Sequence, residues 1–250
     1  MDKCHTQQDL TASESDCHYG NKDSDQNIVL FGDSHALSWF PAIQKLAQAK
    51  GWGFYSLTMS SCWPANIPAW NSTTHQLMTN CAIWRKATKK RITALKPTMI
   101  FVAGTRGFST IDASGNVLTG AIRTAAWEKG MTTTISQLKS ASKKVVYLGD
   151  TPISIVNVSD CLAAHTNSVA ACSTPFSRAV NVDWNAEEKK IATVLGITYV
   201  DPTPWICMTD PCSPIVGSYL IYVDGGHLTA SFARSLEAPL WKELTTIKVS

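Results

Sequence analysis

Ser34 is the residue of this chain best placed by its surroundings to do covalent chemistry. It lies in Gly32-Asp33-Ser34-His35, which interrupts the apolar run IVLF (28–31) before a helical pattern resumes at Ala36. A strand-to-helix turn explains part of this, with Gly32 for the bend and Asp33 or Ser34 as the helix cap. The same turn at the carboxyl end of a strand would also present a hydroxyl where open α/β sheets keep their ligands. A serine hydroxyl is a weak nucleophile at its own pKa; it needs an imidazole as general base and a carboxylate to fix that imidazole's tautomer. VDGGHLTASFARSL (223–236) offers both in Asp224-x-x-His227. The plainer use of this second segment is a turn at the glycine pair, with His227 and Thr229 capping the last helix.

These two segments stand at opposite ends of the chain, so the fold must bring them together. Short β-rich runs alternate with longer helical patterns: IVLF (28–31) and 36–50, GFYSLTM (53–59) and 77–95, TMIFVAG (98–104) and a helix within 121–141. VVYLGD (145–150) precedes a helix within 176–195, and ITYVD (197–201) precedes 228–244. Strands separated by helices of this length predict parallel β-α-β units, hence an α/β three-layer sandwich around a mainly parallel five-stranded sheet. Pro41 should kink the first helix or shift its start. Residues 1–26 are polar and aperiodic and read as a linker or stapled extension; residues 27–250 form a single domain.

In a parallel sheet all strands end at one rim. The residues that follow the strands are therefore candidates to meet: Gly32-Asp33-Ser34-His35, Ser60-Ser61-Cys62, Gly104-Thr105-Arg106, Gly149-Asp150-Thr151 and Asp201-Pro202-Thr203. Asp33 is expected to accept backbone N–H bonds of its own turn. His35 is expected to face away from Ser34 and shape the pocket, and Asp150 to form a turn before Pro152. Trp39, Trp63, Trp127 and Trp205 have the chemistry to stack on sugar rings, although tryptophans on helices or beside disulfides usually belong to the core.

Composition narrows the class. The 250 residues are 44% hydrophobic and 16% charged with nine Trp, which is globular rather than disordered. A net charge of +3 with scattered basic residues excludes a dedicated nucleic-acid binder. The eight Cys fall as sequence-local pairs, Cys4 with Cys17, Cys62 with Cys81, Cys161 with Cys172 and Cys207 with Cys212. Such placement suggests disulfides and an oxidising, extracytoplasmic compartment, with other connectivities still open. No CxxC pair and no His at ligand spacing from Cys point to a metal, and no cofactor is expected. The sequence has no signal-peptide stretch and no long apolar span, so exported chemistry here implies a segment of a longer protein.

Gly32-Asp33-Ser34 after the first strand, with Asp224 and His227 before the last helix, resembles the SGNH (GDSL-like) hydrolase superfamily. GDSH, SSCWPA (60–65), GDTP (149–152), PTPWIC (202–207) and YVDGGHLT (222–229) are similar to the SGNH domains fused behind acyltransferase-3 membrane proteins. The resemblance spans about residues 27–245. It implies Ser34 as nucleophile, His227 as general base and Asp224 as its orienting partner, with the Ser34 N–H as one oxyanion donor. The family's second-block Gly is replaced within Ser60-Ser61-Cys62, and its Gly-x-Asn by Gly104-Thr105-Arg106. Ser61 and Arg106 are thus the substitute oxyanion donors, and Thr105, Arg106, Asp33 and His35 the candidate substrate contacts.

The resemblance implies O-acyl transfer, chiefly of acetyl, to or from hydroxyls of cell-surface glycans or glycolipids. The partner would be an amino-terminal membrane acyltransferase-3 domain that tethers this one outside the cytoplasm. Two other functions fit the same residues. One is a glycan-binding module with a vestigial triad, suggested by the altered second and third blocks; the other is a secreted carbohydrate or lipid esterase.

Overall fold

A computed structural model describes residues 4–14 and 16–246. Its spine is the strand β3 (Asn27–Gly32), flanked by β4 (Gly53–Met59) and β5 (Met99–Ala103), with β6 (Val145–Leu148) and β7 (Thr198–Val200) beyond β5. These five strands are parallel and lie in the order β4-β3-β5-β6-β7. They are the five runs the sequence predicts. The sheet is wider than five, because β1 (His5–Thr6) and β2 (His18–Gly20) both pair with the free edge of β4, the first parallel and the second antiparallel. The amino-terminal extension therefore supplies two edge strands, joined by the Cys4–Cys17 disulfide.

The chain reads as near-continuous apolar runs because both faces of the sheet are covered. Ile28 and Leu30 point to one face, where Trp39 and, from α2 (Phe40–Lys50), Ile43 and Leu46 meet Phe232 and Leu240 from α6 (Ala230–Ser235) and α7 (Glu237–Thr246). Val29 and Phe31 point to the other. There they meet Trp84 of α3 (Thr79–Leu95), Trp127 and Ile135 of α4 (Gly120–Lys139), and Trp184 and Ile191 of α5 (Val182–Val194).

Two helices break where the sequence pattern is continuous, and proline explains both. The first becomes α1 (Ser34–Ser38) and α2, with Trp39 between them and Pro41 in the first turn of α2. The last divides at Leu236, with Pro239 in the first turn of α7. Proline lacks the N–H that an interior position would donate, whereas a first turn does not use it.

Trp39, Trp63 and Trp127 are buried, and Trp205 is half-buried with its ring edge-on to Trp39. They belong to the packing. All eight cysteines are paired as neighbours in the sequence.

Candidate active site

In the order β4-β3-β5-β6-β7, the connections leave β3 in opposite directions on its two sides, and ligands gather at such a switch point. Ser34 lies there, at the carboxyl end of β3. Gly32 has φ 153°, and its partner across the ladder is Ala103 of β5. Asp33 caps α1, its Oδ1 accepting the His35 N–H at 2.8 Å. Its Oδ2 accepts the Thr105 N–H at 2.8 Å, which ties the loop after β5 to the same turn. Asp33 is fully buried, and burial raises its pKa against the pull of His35 and these two bonds. Ser34 opens α1, so its N–H is one of the donors that a first helical turn leaves without an intrahelical partner.

The base arrives from the other end of the chain. Asp224 Oδ1 accepts the N–H groups of Gly226 and His227 at 2.7 and 2.8 Å, folding the glycine pair into a tight turn. Its Oδ2 lies 2.7 Å from His227 Nδ1, and His227 Nε2 lies 2.9 Å from Ser34 Oγ. Burial works against the Asp224 charge, but these hydrogen bonds hold its carboxyl below its usual value. Ser34, His227 and Asp224 thus form one hydrogen-bonded chain, with the orientation that a nucleophile, base and orienting carboxylate require.

Residues 3–242 match the family described as "SGNH domain (fused to AT3 domains)". The chain belongs to this family. This SGNH domain is similar to the periplasmic domain of a lipopolysaccharide acetyltransferase from Salmonella ser. Paratyphi A. The two are 17% identical, with 94% of this chain and 91% of that chain covered and a TM-score of 0.69. An inhibitor-bound aryl esterase of M. smegmatis is 16% identical over 90% of this chain and 100% of its own, with a TM-score of 0.52. A carbohydrate acetylesterase from Sinorhizobium meliloti is 11% identical over 90% and 100%, with a TM-score of 0.51. These likenesses are ones of fold. No curated protein sequence matches the SGNH domain significantly.

The other rim residues take varied places. Ser61 is exposed with φ 53°, a left-handed backbone where glycine is the usual residue. That loop is pinned by the Cys62–Cys81 disulfide and by Arg85, whose buried guanidinium donates to the carbonyls of Trp63, Ala65 and Ile67. Thr105 has its N–H on Asp33, and its hydroxyl oxygen accepts from Gly107 N–H. Arg106 donates from Nη2 to the Ala179 carbonyl at 3.0 Å. An apolar groove of about 320 Å³ adjoins Ser34 and His227, walled by Leu37, Phe40, Pro41, Val223 and Leu228. A larger cleft of about 750 Å³ opens along β7 and contains none of the three residues.

One sequence expectation is corrected. Asp150 is not a turn-former: it is buried, with Oδ1 2.6 Å from His35 Nδ1 and Oδ2 accepting the Arg106 N–H at 2.9 Å. His35 turns away from the Ser34 hydroxyl, because successive helical residues point about 100° apart. That direction takes it to Asp150, while its ring still contacts His227. Beneath them Glu188 is fully buried and accepts from Tyr147, Trp184, Tyr199 and the Asp150 N–H. Sequence reading missed Glu188. The signal was a carboxylate on the apolar face of α5, four residues after Trp184 and three before Ile191.

These groups predict a pH dependence of stability. Burial disfavours the charge on His35, but Asp150 outweighs it and lifts the imidazole from 6.5 to about 9. The folded protein holds a proton there that the unfolded chain loses, so this stabilisation is full below 6.5 and gone above about 9. Burial lifts Glu188 from 4.5 to about 8, so the folded state is also penalised as the pH rises through that range. Both effects run the same way. Unfolding free energy from urea titrations should fall by up to about 6 kcal/mol between pH 6 and pH 10, and Glu188→Gln should flatten the part below pH 8. A flat profile in the wild-type protein would contradict this account.

Proposed function

We propose that this domain moves O-acyl groups, chiefly acetyl, to or from hydroxyls of cell-surface glycans through an acyl-enzyme on Ser34. The observation that carries the reading is the unbroken chain from Ser34 Oγ through His227 to Asp224, at 2.9 and 2.7 Å. In the first step His227 Nε2 takes the Ser34 proton while Oγ attacks the acyl carbonyl. The tetrahedral oxyanion forms beside the Ser34 N–H, and His227 returns the proton to the leaving alkoxide. In the second step a glycan hydroxyl gives its proton to His227 and attacks the Ser34 ester, and His227 passes that proton to the departing Oγ, which completes the transfer.

The family's description as fused to AT3 domains supports a membrane acyltransferase-3 domain as donor-side partner and an extracytoplasmic, membrane-tethered location. The four disulfides fit that compartment. Among the described residues no helix is long and apolar enough to cross a membrane. Hydrolysis is favoured for the domain alone, since the side chains of His227 and Asp224 are 37% and 50% exposed and water reaches them. The vestigial-module reading has against it a triad held at hydrogen-bonding distance throughout.

The test is to incubate the domain with p-nitrophenyl acetate and map any acetyl adduct by peptide mass spectrometry, adding a glycan acceptor in a second arm. An adduct on Ser34 that decays to acetate, or to acetylated glycan, supports the reading. No adduct on Ser34, with acetate released no faster than from Ser34→Ala, would sink it.

A further inference from the structure

A second His–Asp pair stands beside the triad, and the proposed reaction does not use it. His35 Nδ1 and Asp150 Oδ1 are 2.6 Å apart, with the side chains 14% and 0% exposed. Asp150 is fixed from three directions. It follows β6 in the chain, its Oδ2 accepts the Arg106 N–H from the loop after β5, and its own N–H donates to Glu188 of α5. Gly149 leaves the space for this: a Cβ there would lie 2.4 Å from the Tyr199 hydroxyl and 3.1 Å from Glu188 Oε2.

The base, by contrast, is poorly buried. Asp224 and His227 sit on a turn containing two consecutive glycines, where backbone and ring freedom must be removed by something outside the turn. His35 packs directly against it, alongside Ile153. Its ring stands edge-on to the His227 ring, with centroids 5.1 Å apart and planes at 66°. Its Cε1 and Nε2 edge lies against Gly226, where a Cβ would be 3.5 Å away. The Ser154 N–H, four residues after Asp150, donates to the Gly225 carbonyl at 2.8 Å and ties the same turn to the same segment.

We propose that His35, clamped by Asp150, is the positioning residue of this site: it braces the His227 ring and the Gly225-Gly226 turn so that Nε2 stays on Ser34 Oγ. The inference rests on the triad reading and adds to it a residue that acts only through His227. A charge-assisted bond to a buried carboxylate is a stiff support, and a misplacement of about 1 Å at a reacting group costs about a hundredfold in rate.

The experiment compares kcat and KM for p-nitrophenyl acetate in the wild-type protein and in His35→Asn, Asp150→Asn and the double variant. Each is made with and without His227→Ala. Asn at 35 retains an N–H donor near the Nδ1 position, so Asp150 keeps a partner while the ring against His227 is lost. His35→Asn should lower kcat about 10- to 100-fold with KM within about twofold, and the double variant should fall no further than the worse single one. In the His227→Ala background the same change should alter the residual rate less than about twofold. An equal fall in both backgrounds, or no fall in either, overturns the positioning role. If His35→Asn does not fold, Asp150→Asn decides on the same comparison, and if neither folds, the pair serves the fold and the proposal is lost. If His227→Ala alone leaves the rate unchanged, it is the triad reading that fails.

Discussion

Ser34→Ala and His227→Ala should each lower acetate release from an activated ester by about 10⁴-fold or more, and Asp224→Asn by about 10³-fold, with KM little changed. The ranking follows from what each group does. Without Ser34 Oγ there is no acyl-enzyme, and without His227 Nε2, 2.9 Å away, the hydroxyl keeps its proton. Asp224 acts one step back. Its Oδ2 holds His227 Nδ1 at 2.7 Å and stabilises the imidazolium, while its Oδ1 also closes the turn through Gly226 and His227 N–H. Asn at 224 retains an acceptor for the turn but presents an uncharged amide to the imidazole, so the tautomer and the charge are lost while the fold is kept. Half exposure of Asp224 lets water replace part of its support, which places its effect below that of the other two. Since the three act as a unit, the triple variant should be no slower than Ser34→Ala. Losses that multiply would mean that the groups work independently.

How much of this was legible depended on whether a residue's role was local. The five main strands were readable because a parallel sheet covered on both faces buries every residue of a run such as Ile28 to Phe31. Gly32-Asp33-Ser34 was readable because a turn, a cap and an exposed hydroxyl are all properties of four adjacent residues. Strands β1 and β2 are two and three residues long, too short to show any periodicity, and exist only because the edge of β4 accepts them. Asp150 precedes Thr-Pro and looks like a turn residue; its role depends on His35, 115 residues away. Glu188 lies in a run of charges, Glu187 to Lys190, that resembles a solvated face until Tyr147 and Tyr199 are seen to close over it.

Gly32→Ala should destabilise the domain by about 4 kcal/mol or more, lowering its thermal midpoint by roughly 10 °C. The same apolar run could carry a larger residue at its end, so the reason is not in the pattern but in the ladder. At φ 153° the backbone is in a region that residues with a Cβ rarely adopt. A Cβ built on it would sit 1.8 Å from the Ala103 carbonyl oxygen and 2.8 Å from the Ala36 Cβ. Neither neighbour can move alone: Ala103 is the residue paired with position 32 on β5, and Ala36 lies in α1 two residues after Ser34. Relief requires parting β3 from β5 or rotating the turn, and either shifts Asp33, which bonds both His35 and Thr105. Any Gly32→Ala protein that remains folded should therefore also lose acetate release, through displaced Ser34 Oγ rather than altered substrate affinity. A midpoint within about 3 °C of wild type, under 1.5 kcal/mol for a chain of this size, would show that the end of β3 is free to move away from β5.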